Sequence, residues 1–208
     1  MRPVNLALHL VTDRNLARGR NLIDIVQAAV HGGVTLVQLR EKECATREFV
    51  ELGRALMASL KNTDIPLLVN DRIDIALAVG ADGVHIGQSD MPYADARRIL
   101  GAEAIIGLSV GSEAEAREAE AVDVDYLGLS PVFVTPTKSE LKEQLGLEGV
   151  GRIRQISRHR LVAIGGINSD NMTPVLQAGA DGVAVVSAIC SAADPLKAAQ
   201  QLSKLHIK

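Results

Sequence analysis

The sequence predicts an α/β fold, a (β/α)8 TIM barrel that forms a single compact domain over residues 1–208. Eight short runs rich in Val, Ile and Leu recur along the chain, and stretches with helical spacing separate most of them. One strand and one helix together average about 26 residues, which is the short limit for an eight-stranded barrel. An open doubly wound sheet is the alternative, although it would usually have fewer strands over this length.

The eight predicted strands are apolar on both faces, as parallel strands are when helices cover the sheet. They span residues 6–11, 35–39, 67–70, 83–86, 105–108, 126–129, 161–164 and 182–186. The segment GADGV occurs twice, at 80–84 and 179–183, each time between a helical stretch and a strand. Its first glycine suits a helix end with positive φ, and its second lets the strand pack closely.

Four of the helices have clear sequence signals. The first begins near Asn21, a favourable N-cap, and ends at the glycine pair 32–33. The second carries apolar residues three or four positions apart, while its charged residues face outward. Those apolar residues are Phe49, Leu52, Leu56 and Leu60. Segment 112–121 is nearly all Glu and Ala and predicts a surface helix, and a helix over 195–205 closes the chain.

Composition restricts the class of protein. A formal net charge of -3 gives no electrostatic reason to expect nucleic acid or an anionic membrane as a partner. Two Tyr, two Phe and no Trp are too few rings for several stacking platforms. No apolar run approaches the roughly 18 to 20 residues of a membrane helix. Cys44 and Cys190 lack metal or redox spacing and are interpreted as reduced thiols, so we expect a cytoplasmic protein.

Polar residues follow the predicted strands at their carboxyl ends, where barrel enzymes place their active sites. The second strand ends in Gln38 to Lys42 and the third in Asn70 and Asp71; Asp90 follows the fourth, Ser109 the fifth, Gly165 and Gly166 the seventh, and Ser187 the eighth. After the sixth strand comes the irregular segment 130–147, predicted to be an active-site loop, with Thr135, Pro136, Thr137 and Lys138.

Asp71 and Asp90 would lie at the mouths of neighbouring strands. Two carboxylates there, completed by water and phosphate oxygens, would suit Mg²⁺. The alternative is that either residue is a turn or capping aspartate, since Asp90 precedes a proline-containing helix start. Arg72 and Asp74 read as an exposed helix start instead.

Three cations, Arg40, Lys42 and Lys138, would surround the same mouth and suit a polyanion such as diphosphate. Loop lysines are most often solvated surface charges, which is the alternative for Lys138. At strands seven and eight, Gly165-Gly166 and Val186-Ser187 would suit a phosphate bound by backbone N–H groups, or the glycines would only form a tight turn. No Ser-His-Asp arrangement is present, and His85 and His9 read as packed or hydrogen-bonded residues.

Seven motifs, in order over nearly the whole chain, closely resemble those of the thiamine phosphate synthase family. They are QLREK at 38–42, ND at 70–71, GVHIGQSD at 83–90, GLSV at 107–110, PVFVTPTK at 131–138, VAIGGI at 162–167 and VAVVSAI at 183–189. The resemblance implies a (β/α)8 barrel that joins a hydroxymethylpyrimidine diphosphate to a thiazole phosphate, either plain or carboxylated, with release of diphosphate.

The resemblance also implies site residues. Asp71 and Asp90 would bind Mg²⁺. The pyrimidine diphosphate would contact Gln38, Leu39, Arg40, Glu41, Lys42, Asn70, Ser109 and Lys138. The thiazole phosphate would contact Thr135, Pro136, Thr137, Gly166, Val186 and Ser187. Arg40, Lys42, Ser109 and Lys138 would be the catalytic residues.

Two residues depart from the family pattern, because Ser130 and Val134 stand where the family usually has glycine and proline. Both departures change the stiffness of the loop rather than its donors. The implied mechanism is a dissociative substitution at the exocyclic methylene of the pyrimidine, followed by capture by the thiazole nitrogen. Charge neutralisation on the leaving diphosphate would then be the main contribution of the protein.

Two other functions remain open from the sequence. A thiazole tautomerase would share the barrel and the phosphate site but would not need the diphosphate and metal set. A non-catalytic sensor of a phosphorylated metabolite could do without Lys138 and one aspartate. The sequence leaves a homo-oligomer open, and neither reading involves nucleic acid or a membrane.

Overall fold

The computed structural model describes residues 4–134 and 143–206. Eight parallel strands form a closed barrel in chain order, and the last strand pairs with the first. The strands are β1 (Leu8–Val11), β2 (Leu36–Leu39), β3 (Leu67–Asn70), β4 (Gly83–Ile86), β5 (Ile105–Val110), β6 (Tyr126–Leu129), β7 (Leu161–Ile164) and β8 (Gly182–Val185). The predicted (β/α)8 barrel is confirmed, and the open-sheet alternative is wrong.

Helices alternate with the strands around the outside of the barrel. They are α1 (Leu22–His31), α2 (Thr46–Leu60), α3 (Ile73–Val79), α4 (Tyr93–Leu100), α5 (Glu113–Ala119), α6 (Gly146–Ile156), α7 (Met172–Gln177), α8 (Ser187–Cys190) and α9 (Pro195–His206). None of the helices in the described ranges combines the length and apolar character needed to cross a bilayer.

The helix signals in the sequence have the expected structural counterparts. The Asn21 side chain accepts a hydrogen bond from the Ile23 backbone N–H and caps α1, while Ser112 caps α5 in the same way. Arg72 and Asp74 form an ion pair at the exposed start of α3. The predicted helix over 112–121 is shorter than expected, because Ser112 is the cap and the helix ends at Ala119.

Four strand ends differ from the sequence prediction. β1 begins at Leu8 rather than at residue 6. β2 begins at Leu36 rather than at residue 35. β5 continues to Val110, so Ser109 lies inside the strand rather than after it. β8 ends at Val185, because Val186 has φ -115° and ψ -81°, which are not strand angles.

Two apolar layers hold the barrel together. The outer layer lies between the strands and the helices and includes Phe49 and Leu56 of α2. The inner layer fills the lower barrel with alternating strand residues. Its buried members are Leu6, Val11, Leu36, Leu68, Ile105, Tyr126, Val162 and Ala184. Toward the carboxyl ends of the strands, polar side chains join the apolar ones, among them Gln38, Asn70, His85 and Ser109.

The repeated GADGV segments form two equivalent helix-to-strand junctions. Gly80 ends α3 with φ 70°, in the left-handed region. The aspartates also have a role that the sequence did not reveal. Asp82 Oδ2 accepts a hydrogen bond from the Leu67 N–H, and Asp181 Oδ2 accepts one from the Leu161 N–H. Each aspartate therefore ties its own strand to the start of the preceding strand.

We expect Gly182→Ala to lower the free energy of unfolding by about 3 kcal/mol or more, since overpacking against backbone cannot be relieved by a rotamer change. A Cβ at this position would lie 1.7 Å from the Leu6 carbonyl oxygen. Gly151→Ala, inside α6, is the matched control, because its Cβ would meet only the Ala178 oxygen at 3.7 Å. The control should be neutral or stabilising by about 0.5–1 kcal/mol. Equal urea denaturation midpoints for the two variants would contradict this packing.

Candidate functional site

A cavity of about 80 Å³ opens at the carboxyl ends of the strands. Eight residues that the sequence singled out for substrate or phosphate binding share its wall. They are Gln38, Arg40, Asn70, Ser109, Gly165, Gly166, Val186 and Ser187. The barrel therefore brings together residues that are up to 149 positions apart in the chain (187 minus 38). The predicted loop residues Thr135, Pro136, Thr137 and Lys138 lie outside the described residues.

Two amides form the floor on one side of the cavity. Gln38 Nε2 donates a hydrogen bond to Asn70 Oδ1 over 2.6 Å. The side chains come from adjacent strands, because β2 and β3 pair directly. This contact leaves Gln38 Oε1 as an acceptor and Asn70 Nδ2 as a donor for a ligand. The pair can therefore recognise a flat heterocycle whose edge has one donor and one acceptor.

The predicted contacts Leu39, Arg40 and Glu41, at the end of β2 and just after it, lie in three different environments. Arg40 lines the cavity, its backbone N–H donates to Thr12 Oγ1, and its guanidinium lies 3.9 Å from Asp13 Oδ2. Leu39 is fully buried in the outer apolar layer, so its side chain points away from the cavity.

Glu41 has a different local role from its neighbours. Its Oε2 accepts hydrogen bonds from Arg14 Nε and Nη2 at 3.1 and 2.7 Å. Arg14 also pairs with Glu48 of α2. The ion pairs fasten the loop after β2 to the loop after β1 and to α2. The Glu41 carboxylate is thus used to hold the segment that carries Arg40 and Lys42.

Asp71 and Asp90 lie close together beside the cavity. Asp71 has φ 65°, and its backbone N–H donates to the His85 carbonyl oxygen, which continues the β3–β4 pairing by one residue. Lys42 Nζ donates to Asp71 Oδ2 over 2.6 Å. Asp90 Oδ2 accepts the Gly87 N–H over 2.7 Å. Burial raises the pKa of Asp90, and the neighbouring Asp71 carboxyl raises it further.

This donor set suits Mg²⁺ better than a transition metal. Within the described ranges no three His, Cys, Asp or Glu residues cluster as metal ligands. Mg²⁺ commonly binds one or two carboxylates and takes its remaining ligands from water and substrate phosphates. Asp90 does not cap α4, because Pro92 is the N-cap. The turn alternative fits in part, since Asp90 Oδ2 accepts the Gly87 N–H and the Asp90 N–H donates to the Gly87 carbonyl oxygen.

Four polar side chains lie deeper in the barrel, below the mouth of the cavity: His9, His85, Tyr126 and Ser109. His85 Nε2 lies 2.8 Å from Ser109 Oγ, and His85 Nδ1 lies 2.9 Å from the Tyr126 hydroxyl. His9 packs edge-on against the Tyr126 ring, and neither of its nitrogens has a hydrogen-bond partner among the described residues. Burial lowers the pKa of His9 to about 3, with a smaller effect from His85, so the ring is neutral.

The opposite side of the cavity consists of backbone. Gly165 and Gly166 have φ 106° and 65°, and Asn171 Nδ2 donates to the Gly166 carbonyl oxygen over 2.9 Å. The short helix α8 begins at Ser187, which lines the same cavity as the two glycines. N–H groups in such a turn can bind an anion, and the phosphate site expected here from the sequence stays a prediction.

The structure adds Tyr126, His85 and His9 to the cavity wall. From the sequence, His9 and His85 were expected to be packed or hydrogen-bonded, with no function assigned to either. The available signal was the alternation of inward and outward positions, which puts His85 and Ser109 on the inner face of adjacent strands.

Comparisons with known proteins agree on one family. The model of the thiamine monophosphate synthase family matches residues 8–189. A thiamine-phosphate synthase of Syntrophomonas wolfei is 52% identical over 96% of this chain and 95% of its own. One of Albidiferax ferrireducens is 56% identical over 96% and 91%. The solved thiamine phosphate pyrophosphorylase of Pyrococcus furiosus is 41% identical, with a TM-score of 0.89 over 99% of this chain and 97% of its own.

Proposed function

The chain belongs to the thiamine monophosphate synthase family and is a transferase of thiamine biosynthesis, and we propose that it joins a hydroxymethylpyrimidine diphosphate to a thiazole phosphate. The observation that carries this proposal is the arrangement at one barrel mouth. A carboxylate pair and two cations lie beside the Gln38–Asn70 amide pair. This combination suits a heterocycle that carries a diphosphate.

The amide pair would bind the pyrimidine ring, and the charged groups would bind the diphosphate. The acceptor Gln38 Oε1 and the donor Asn70 Nδ2 would read the amino group and a ring nitrogen of the pyrimidine. Arg40, on the cavity wall, and Lys42, beside Asp71, would contact the diphosphate oxygens. Arg40 can do so bidentately, since the ion pair of its guanidinium within residues 4–134 and 143–206 is a long 3.9 Å contact with Asp13.

Asp71 and Asp90 would hold Mg²⁺, which would neutralise charge on the diphosphate when bound. The raised pKa of Asp90 beside Asp71 fits this role, because two adjacent carboxylates repel each other until a cation lies between them. Lys138 would complete the cation set from segment 130–147, as the resemblance implies.

The glycine turn would hold the other substrate. The backbone at Gly166 and the start of α8 at Ser187 would bind the thiazole phosphate, with Thr135 and Thr137 as further donors. Val186 would contribute an apolar contact. The two substrates would then face each other across the cavity, with the thiazole nitrogen directed at the exocyclic methylene of the pyrimidine.

The chain's residues would accelerate the reaction by charge and position. As the carbon–oxygen bond to the diphosphate breaks, Arg40, Lys42 and Lys138 would stabilise the negative charge that develops on the leaving group. The amide pair would keep the pyrimidine in place while its ring stabilises the methylene cation. The thiazole nitrogen would capture that cation, and no protein nucleophile is needed. Such a reaction would take place in the cytoplasm.

Growth complementation tests this function in a living cell. A bacterial strain that lacks its own thiamine phosphate synthase should grow without thiamine when it expresses this chain. A chain that only isomerises a thiazole phosphate, or only binds one, would leave the strain dependent on thiamine. The same failure with a well-expressed chain would contradict the proposal.

A further inference from the structure

Three side chains form a continuous hydrogen-bonded series under the cavity, one from each of three adjacent strands. Tyr126 of β6 contacts His85 of β4, and His85 contacts Ser109 of β5. Two glycines make room for the rings. A Cβ at Gly107 would lie 2.2 Å from Tyr126 Cζ, and one at Gly128 would lie 2.7 Å from His85 Cε1. The barrel interior is therefore built around this series.

The environment of Tyr126 fixes the direction of the first hydrogen bond. Its side chain is 1% exposed, and burial raises its pKa well above the ordinary value, so the hydroxyl keeps its proton. Among the described residues, His85 Nδ1 is the one hydrogen-bond partner of this hydroxyl. His9 touches the ring but accepts no hydrogen bond. A buried hydroxyl needs an acceptor for its proton, so Tyr126 donates to His85 Nδ1.

This direction determines the next hydrogen bond. When Nδ1 of a neutral imidazole accepts, the ring proton is on Nε2. His85 Nε2 must then donate to Ser109 Oγ, 2.8 Å away. The Ser109 oxygen accepts this hydrogen bond, so the hydroxyl proton of Ser109 must point away from His85. Because Ser109 lines the cavity, its hydroxyl is directed to donate to a ligand there.

We propose that Tyr126 is a positioning residue for the condensation: through His85 it sets Ser109 as a hydrogen-bond donor to an acceptor atom of the bound substrate. This inference rests on the proposed function, since it names how one contact of that same site is oriented. The acceptor is a ring nitrogen or a phosphate oxygen, both of which the substrates carry. Without the Tyr126 hydroxyl, either imidazole nitrogen can carry the proton, and the serine loses its fixed direction.

A double-mutant cycle in the condensation assay tests this linkage. Tyr126→Phe should lower kcat/KM about 10-fold, the typical value of one hydrogen bond. In a Ser109→Ala background the same substitution should have no further effect, because its target is gone.

Tyr93→Phe is the matched control. Tyr93 is the other of the two tyrosines, its hydroxyl donates to the Asp123 carbonyl oxygen at the surface, and kcat/KM should not change. Losses that multiply in the double variant would overturn the proposal, since Tyr126 would then act on the barrel independently of Ser109.

A second measurement does not depend on turnover. Nitrogen NMR of the wild-type protein reports which ring nitrogen of each histidine carries the proton, and His85→Gln identifies the signals of His85. We expect the proton on Nε2 at neutral pH. A proton on Nδ1 overturns the proposal even if condensation is observed. Absence of condensation with the expected proton position would count against the proposed function alone and would leave the donor orientation supported.

Discussion

Asp71→Asn should lower the turnover number at least about 100-fold, the usual cost of removing one electrostatic stabiliser from an active site. The substitution keeps the shape of the side chain, and asparagine tolerates the φ of 65° at this position. It removes one of the two carboxylates that would hold Mg²⁺ and the ion-pair partner of Lys42. The Mg²⁺ concentration for half-maximal rate should therefore rise as the rate falls.

Asp74→Asn provides the matched control for this experiment. Asp74 is an exposed aspartate three positions later, in the first turn of α3, and its partner is Arg72. Loss of an exposed ion pair has little effect on stability, so the rate and its Mg²⁺ dependence should stay near wild type. Initial rates across a Mg²⁺ titration compare the two variants. A similar dependence in both would remove Asp71 from the metal site.

Arg40→Gln should also lower kcat/KM about 100-fold, mainly through the pyrimidine diphosphate. Arg40 is on the cavity wall, and its side chain is 18% exposed, so its charge acts in a partly desolvated site where it is less screened than at the surface. Glutamine retains hydrogen-bond donors but not the charge. The loss should therefore report on neutralisation of the leaving diphosphate rather than on packing.

Arg152→Gln tests whether any loss of positive charge has this effect. Arg152 lies on α6 and pairs with Glu113 and Glu148 at the surface. Its substitution changes the net charge of the protein by the same amount as Arg40→Gln. Steady-state kinetics at two salt concentrations should show a specific defect in Arg40→Gln alone. Equal defects in the two variants would mean that the rate follows overall charge and not a contact in the cavity.

The barrel could be predicted from the sequence because its signal is repeated eight times. Apolar runs, glycines at helix ends and the GADGV repeat all point to the same architecture, so an error at one strand does not change the result. Strand ends were less predictable. β5 contains Ser109 because its pairing with β6 continues past the apolar run to Ser109 and Val110, and such pairing depends on a neighbouring strand.

The positions of candidate site residues were predictable where polar residues follow a strand: Arg40 lies on the cavity wall, and Asp71 and Asp90 lie close together. Contacts were less predictable where a residue's partner is distant in sequence. The pairing of the Glu41 carboxylate with Arg14 was not predicted, because only the folded barrel brings the loops after β1 and β2 together; the predicted substrate contact of Glu41 stays a prediction. Tyr126 lies inside an apolar strand and looks like ordinary core until His85 is placed beside it.

We propose that this barrel mouth condenses the two phosphorylated substrates with the help of Mg²⁺. The most direct measurement incubates the purified protein with the pyrimidine diphosphate, the thiazole phosphate and Mg²⁺, and omits each component in turn. Thiamine phosphate and diphosphate should form in equal amounts, and only in the complete mixture. Product without Mg²⁺ in the presence of a chelator would contradict the role of Asp71 and Asp90, and no product in the complete mixture would contradict the proposed condensation.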